Sequence, residues 1–187
     1  MVPQHRVLTL AFLRAAPDDH WANRLTARAS RHPYCHVELY FENVNQSFSI
    51  LWDETAGFRE KQLSNPNYDL ISLLVSPKEH DDCLHFCQAA ANQGLRFDST
   101  GMWCSWFEPA SPCCGACDSS SGARGSTFCS KIITEALRFA GVREVDGLRP
   151  AASTPSRLYS RVRGSQRVAC NSVPYKRQAL MVLSSMA

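Results

Sequence analysis

Two short runs on either side of Asn43-Val44-Asn45 write a β-hairpin into this chain. His36-Val37-Glu38-Leu39-Tyr40-Phe41 and Ser47-Phe48-Ser49-Ile50-Leu51-Trp52 are rich in β-branched and aromatic residues, and the asparagines between them supply turn chemistry. Side chains on a strand repeat with a period of two. His36, Glu38 and Tyr40 therefore share one face, and Val37, Leu39 and Phe41 take the other.

Further strands flank the hairpin. Val7 to Leu13 is apolar on both alternating faces, as expected of a strand covered on both sides, and Tyr68 to Val75 reads as another buried strand. Between the first strand and the hairpin, Pro17-Asp18-Asp19 opens a helix that runs to about Ser30, with Trp21 and Leu25 on one stripe. Asp53 to Asn67 reads as a polar loop. Ser76-Pro77-Lys78-Glu79 is a complete helix opening, with Ser as cap, Pro at N1 and Glu at N3, for a helix ending near Gly94. His80, Cys83, Leu84, Cys87 and Ala91 fall on one face of that helix. Such spacing is what any buried face shows, so a cysteine-rich core stripe is preferred to a metal site.

From Phe97 to Gly125 the composition changes to Trp, Cys, Pro, Ser and Gly, and 99–125 reads as an insert. Loops of this length inside a compact domain serve as lids or binding loops, or are disordered. Trp103, Trp106 and Phe107 would supply apolar cover, and Ser119 to Gly125 the freedom to open, if the loop lies over a cleft. Cys104, Cys113, Cys114 and Cys117 contain a single C-x-x-C pair, where a zinc module needs two, so no metal or other cofactor is expected. Zinc at those four is the alternative.

A chain of 187 residues, 44% of them hydrophobic, buries a core and reads as one domain over 1–187. Nine cysteines is an odd count whose spacing fits no disulfide framework, which argues for a reducing, cytoplasmic compartment. No apolar run approaches the ~20 residues of a transmembrane segment. No Asp or Glu follows Asp146, whereas Arg149, Arg157, Arg161, Arg163, Arg167, Lys176 and Arg177 do. The basic segment 147–187 either docks on the acidic remainder or presents a face to an anionic partner. Thr154-Pro155-Ser156 opens a short helix, and Gln178 to Leu183 is apolar enough for a final strand.

Cys129 stands apart from the other thiols. Ser126-Thr127-Phe128-Cys129-Ser130-Lys131-Ile132-Ile133 starts a helix that Gly141 ends, with Ser126 or Thr127 as cap and Cys129 in the first turn. Unpaired N–H groups and the helix dipole favour a thiolate there, although burial of a small core residue explains the same cysteine.

His36-Val37-x-Leu39-Tyr40, then Phe128-Cys129-Ser130-Lys131-x-Ile133, then Thr154-Pro155-Ser156-x-Leu158-Tyr159 follow in that order. The order resembles the circularly permuted branch of the NlpC-type papain-like superfamily, which includes the YiiX-type amidases and the lecithin:retinol acyltransferase relatives. Gly94-Leu95-Arg96-Phe97-Asp98 is similar to the turn that often precedes the cysteine in that group. The resemblance implies an α+β, papain-like, permuted NlpC-type fold with a small antiparallel sheet packed on helices. It also implies a thiol hydrolase, a peptidase or amidase that cleaves an amide, ester or thioester of a peptide, lipid or protein conjugate. Cys129 would be the nucleophile, His36 its general base, and Ser49, or failing that Asp53, the polar residue that orients the imidazole. Backbone N–H groups at the helix start would receive the oxyanion. An acyltransferase on the same fold, or a scaffold protein with a zinc-binding cysteine loop, are the other readings. Glu38 departs from the pattern, because a small residue usually follows the histidine at that place.

Overall fold

The computed structural model describes residues 5–60, 63, 65–105 and 126–168. Cys113, Cys114, Cys117, Trp106, Phe107, the Ser119 to Gly125 run and the expected strand at Gln178 to Leu183 lie outside the described residues.

The chain is α+β. Its elements are β1 (Arg6–Arg14), α1 (Trp21–Ser30), β2 (Tyr34–Phe41), β3 (Gln46–Ser49), β4 (Gly57–Arg59), β5 (Tyr68–Val75), α2 (Pro77–Asn92), β6 (Arg96–Phe97), α3 (Ser99–Cys104), β7 (Ser126–Thr127), α4 (Cys129–Phe139) and α5 (Pro155–Arg163). Five strands form an antiparallel sheet in the order β4-β3-β2-β1-β5. The hairpin turn is a single 3₁₀ turn, Glu42–Val44, closed by Asn45 in the left-handed region at φ 52°, which asparagine tolerates better than most residues.

Period two divides the sheet as the sequence requires. Leu8, Leu10 and Phe12 of β1, Val37, Leu39 and Phe41 of β2, and Leu73 and Val75 of β5 are all 0% exposed and join one core cluster. Onto it pack Cys83 and Cys87 of α2, Ile132, Ile133, Ala136 and Leu137 of α4, and Leu158 and Val162 of α5. Removing one such side chain from water stabilises the fold by about 1.5–3 kcal/mol, an upper figure because the unfolded chain is already partly collapsed. Burial, with the neighbouring Cys83 thiol adding to it, pushes the Cys87 thiol well up. His80 instead turns its Nδ1 to Arg6 and Asp81 and sets its ring edge-on to Phe41. Among the described residues no group of three or more His, Cys, Asp or Glu side chains is placed to hold a metal ion.

Local signals set α2 and α5. Ser76 accepts from the Glu79 N–H while Glu79 accepts from the Ser76 N–H at 2.6 Å, so the capping box is closed on both sides. Thr154 caps α5 by accepting from Arg157 N–H at 3.2 Å, with Pro155 at N1. At α1 the buried residues are Ala22 and Thr26. Trp21 and Leu25, the stripe picked out by size, are 53% and 39% exposed. Trp21 packs on Trp52, with ring centroids 6.0 Å apart, while the small residues of the helix are the buried ones. The expected loop from Asp53 to Asn67 contains β4, which is only three residues long and pairs with β3.

The basic segment docks in part. Arg167 pairs with Glu79 through Nη2 at 2.7 Å and Nη1 at 3.0 Å, reaches Glu144 at 3.4 Å, and donates to the Leu74 carbonyl at 2.8 Å. Arg161 donates to the carbonyls of Glu144 and Asp146. Among the described residues no helix is long and apolar enough to cross a membrane.

Candidate active site

Cys129 is the first residue of α4 rather than its third. Ser126 and Thr127 do not cap the helix, because they pair in parallel with Arg96 and Phe97 as β7 against β6, and Asp98 N–H donates to the Thr127 carbonyl at 2.7 Å. Phe128 takes the cap position without a side-chain hydrogen bond. The two ends of the 99–125 insert are thereby brought together immediately before Cys129. First-turn N–H groups of a helix have no intrahelical acceptor, so those at the start of α4 face outward beside the sulfur as donors. Farther along, Ser130 donates to the Ser153 carbonyl at 2.5 Å, and Thr134 bonds the Ser130 carbonyl at 2.7 Å and the Ser153 hydroxyl at 2.8 Å. These buried bonds lock the segment before α5 against α4.

His36 sits near the start of β2, 7% exposed, in register with Leu13 of β1. Its ring lines the same cavity as Cys129, and the sulfur acts on its charge, although 93 residues separate the two. Ser49 lies on β3. The β2–β3 register pairs Leu39 with Phe48, and one further step sets Ser49 opposite Glu38 on the face that carries His36. The Ser49 hydroxyl donates to the Val37 carbonyl at 2.8 Å, so its oxygen is left to accept from His36 Nε2 at 3.2 Å. This fixes a proton on Nε2 and leaves Nδ1 as the ring nitrogen outside that bond. Asp53, the second candidate for that orienting role, is exposed at φ 59° and does not line the cavity.

Glu38 also faces the imidazole, with Oε1 at 3.5 Å from Nε2. Burial works to lower the pKa of His36, but the Cys129 sulfur and the Glu38 carboxylate outweigh it, and the value is pushed up from 6.5 to about 9. Cys35, the residue before His36, is 6% exposed. Burial first, then the charges of Asp19 and Cys129, push its thiol up to about 12, so it stays protonated.

A cavity of about 80 Å³ opens on Cys129, His36 and Glu38, with Ile50, Trp52, Phe97 and Met102 among its walls. Phe97 stacks on Trp52 with centroids 4.9 Å apart. Among the described residues of the Phe97 to Gly125 stretch, Phe97 and Met102 line the slot, while Trp103 is half-buried and does not line it. A larger cleft of about 530 Å³ lies between the end of α1 and the start of α5, lined by His32, Thr154, Arg157 and Arg161 among others. It contains neither Cys129 nor His36, so size does not mark the place where sulfur and imidazole meet. Sequence reasoning placed Glu38 on the His36 face and gave it no role. Its hydroxyl partners, Ser47 and Tyr68, come from other strands, and no local signal joins the three. Comparison with protein-family models, curated proteins and solved structures gives no match.

Proposed function

We propose that this chain is a cysteine hydrolase on a circularly permuted papain-like fold, cleaving an amide, ester or thioester through an acyl-enzyme at Cys129. The observation that carries the reading is that Cys129 and the His36 ring, which is hydrogen-bonded to the Ser49 hydroxyl, line one small, mainly apolar slot. Support also comes from the order of the parts, a histidine strand inside an antiparallel sheet followed by a cysteine at a helix start.

The chemistry follows from the geometry. The sulfur, beside a protonated imidazole, attacks the acyl carbonyl, and the charge that develops on oxygen meets the free N–H groups at the start of α4. His36 then delivers its proton to the leaving amine, alcohol or thiol. Apolar walls exclude stray water until the leaving group has gone.

An electrophilic acyl probe applied to the native protein, followed by mapping of the modified thiol, tests the reading. Cys129 is expected to be acylated first, with His36→Ala suppressing the reaction and Cys129→Ser abolishing it. Equal modification of Cys129, Cys104 and Cys35 would remove the basis for the proposal.

A further inference from the structure

Glu38 is 2% exposed, and a carboxylate taken that far from water is tolerated only when its oxygens are satisfied. Here both are. Ser47 Oγ donates to Oε2 at 2.6 Å from β3, and the Tyr68 hydroxyl donates to Oε1 at 2.8 Å from β5. Hydrogen bonds donated to a carboxylate favour its charged form. Burial, followed by the Glu38 charge, pushes the Tyr68 phenol up, so the donor keeps its proton over the working range.

The titratable groups around His36 are few. Cys129 faces it from α4, Glu38 and Cys35 belong to its own strand, Tyr68 comes from β5, and Asp19 before α1 acts on Cys35 and Tyr68. Among the described residues, Glu38 is the carboxylate that pairs with the ring. A buried imidazole without a nearby anion loses its charge.

We propose that Glu38, clamped by Ser47 and Tyr68, is a positioning residue that holds His36 as an imidazolium aimed at Cys129, so that the site rests with its general acid already charged. This rests on the hydrolase reading above. In acylation the sulfur electron pair forms the S–C bond, the C–N, C–O or C–S bond breaks, and the His36 proton goes to the leaving group. In deacylation a water oxygen bonds the carbonyl carbon, its proton returns to His36, and the S–C bond breaks to release the acid. Glu38 exchanges no proton in either half.

The test uses the full chain and Glu38→Gln, which keeps the shape and removes the charge. Two readouts are taken: the NMR titration of the His36 ring, and the pH profile of kcat/KM on p-nitrophenyl acetate. The expected result is a His36 midpoint at least one unit lower, which is a tenfold shift in the proton equilibrium. With it go an alkaline limb of kcat/KM moved down by the same interval, a loss of about twofold at pH 8 that grows toward about tenfold above pH 9, and little change in KM. If Glu38→Gln fails to fold, Tyr68→Phe and Ser47→Ala are read in the same two ways, and each is expected to lower the midpoint. An unchanged midpoint and profile in a folded Glu38→Gln, or in both clamp variants, overturns the proposal. Failure of the wild-type protein to turn over the ester would count against the hydrolase reading alone, since the NMR midpoint tests the hold of Glu38 without substrate.

Discussion

Ser49→Ala removes a single oxygen from the interior and makes a measurable separation between folding and chemistry. That oxygen makes two bonds, donating to Val37 O at 2.8 Å and accepting from His36 Nε2 at 3.2 Å, in a residue only 2% exposed. A buried hydrogen bond contributes about 1 kcal/mol net, and a stranded polar partner costs about 1–3 kcal/mol. Glu38 Oε1, 3.5 Å from Nε2, remains to take the ring proton and lessens the second term. The loss should come to about 2 kcal/mol, which lowers Tm by about 4–8 °C in a chain of this size. Chemistry should suffer separately, because without Ser49 the Nε2 proton is held by Glu38 Oε1 alone, 3.5 Å away, and the tautomer and aim of the ring are less strictly set. The expected fall in kcat/KM for an acyl ester is about tenfold, equivalent to about 1.4 kcal/mol of lost transition-state stabilisation. Melting curves, ester kinetics and the ¹⁵N shifts of the His36 ring together decide it. If Tm drops as predicted while turnover and the ring shifts stay at wild-type values, Ser49 is a structural residue and the tautomer argument is wrong.

Three other outcomes follow from the same coordinates. His36 has a folded pKa near 9 against an ordinary 6.5, so its contribution to stability is complete below pH 6.5 and is lost as pH rises through 9. Urea midpoints should fall across that window, and the slope should flatten in Cys129→Ser, which removes a cause of the raised value. At Glu79 burial acts upward, but Arg167 and Ser76 outweigh it and lower the pKa from 4.5 to about 2. Its contribution is present above pH 4.5 and disappears as pH falls through 2. Arg167→Ala should cost about 1 kcal/mol at neutral pH, given solvent screening of a partly exposed pair, and should move acid unfolding to higher pH. Thr134→Val leaves the Ser153 hydroxyl and the Ser130 carbonyl short of a partner at a site 0% exposed, and should lower stability by about 1–3 kcal/mol in denaturant titration.

What was legible in the sequence was what neighbours in the chain decide. The span Tyr68–Val75, the Ser76 capping box and the Thr154-Pro155 opening each depend on contacts within four residues, or on a simple apolar run. The start of α4 was not legible in the same way. Ser126 and Thr127 have capping chemistry, yet they are committed to Arg96 and Phe97, 30 residues earlier, by a parallel pairing with no local signal. Likewise Trp21 and Leu25 are the larger apolar residues of α1, yet Ala22 and Thr26 are the buried pair, and the Trp21 contact with Trp52, 31 residues later, has no local signal. At the candidate site, His36 and Cys129 could be named from strand and helix signals. The partners of Glu38 could not, since register between strands is set by the whole sheet.

The sheet itself makes the Glu38 clamp geometrically reachable. In register, Leu13 of β1 stands between His36 and Tyr68, and Ala11 stands between Glu38 and Leu70, so the hydroxyl of Tyr68 must pass diagonally over β1 to meet a carboxylate two strands away. Neighbouring strands lie about 4.8 Å apart, so two strands span about 10 Å, which a tyrosine and a glutamate side chain leaning toward each other can close. They can do so only where the intervening strand offers a small side chain on that face. Ala11 is that residue, 0% exposed, with large apolar Leu10 and Phe12 on either side of it pointing to the opposite face. The alternation that builds the core on one face of β1 therefore leaves a gap on the other. Through that gap β5 reaches the histidine strand, and β1, the strand between the two, shapes the clamp while contributing no polar group to it.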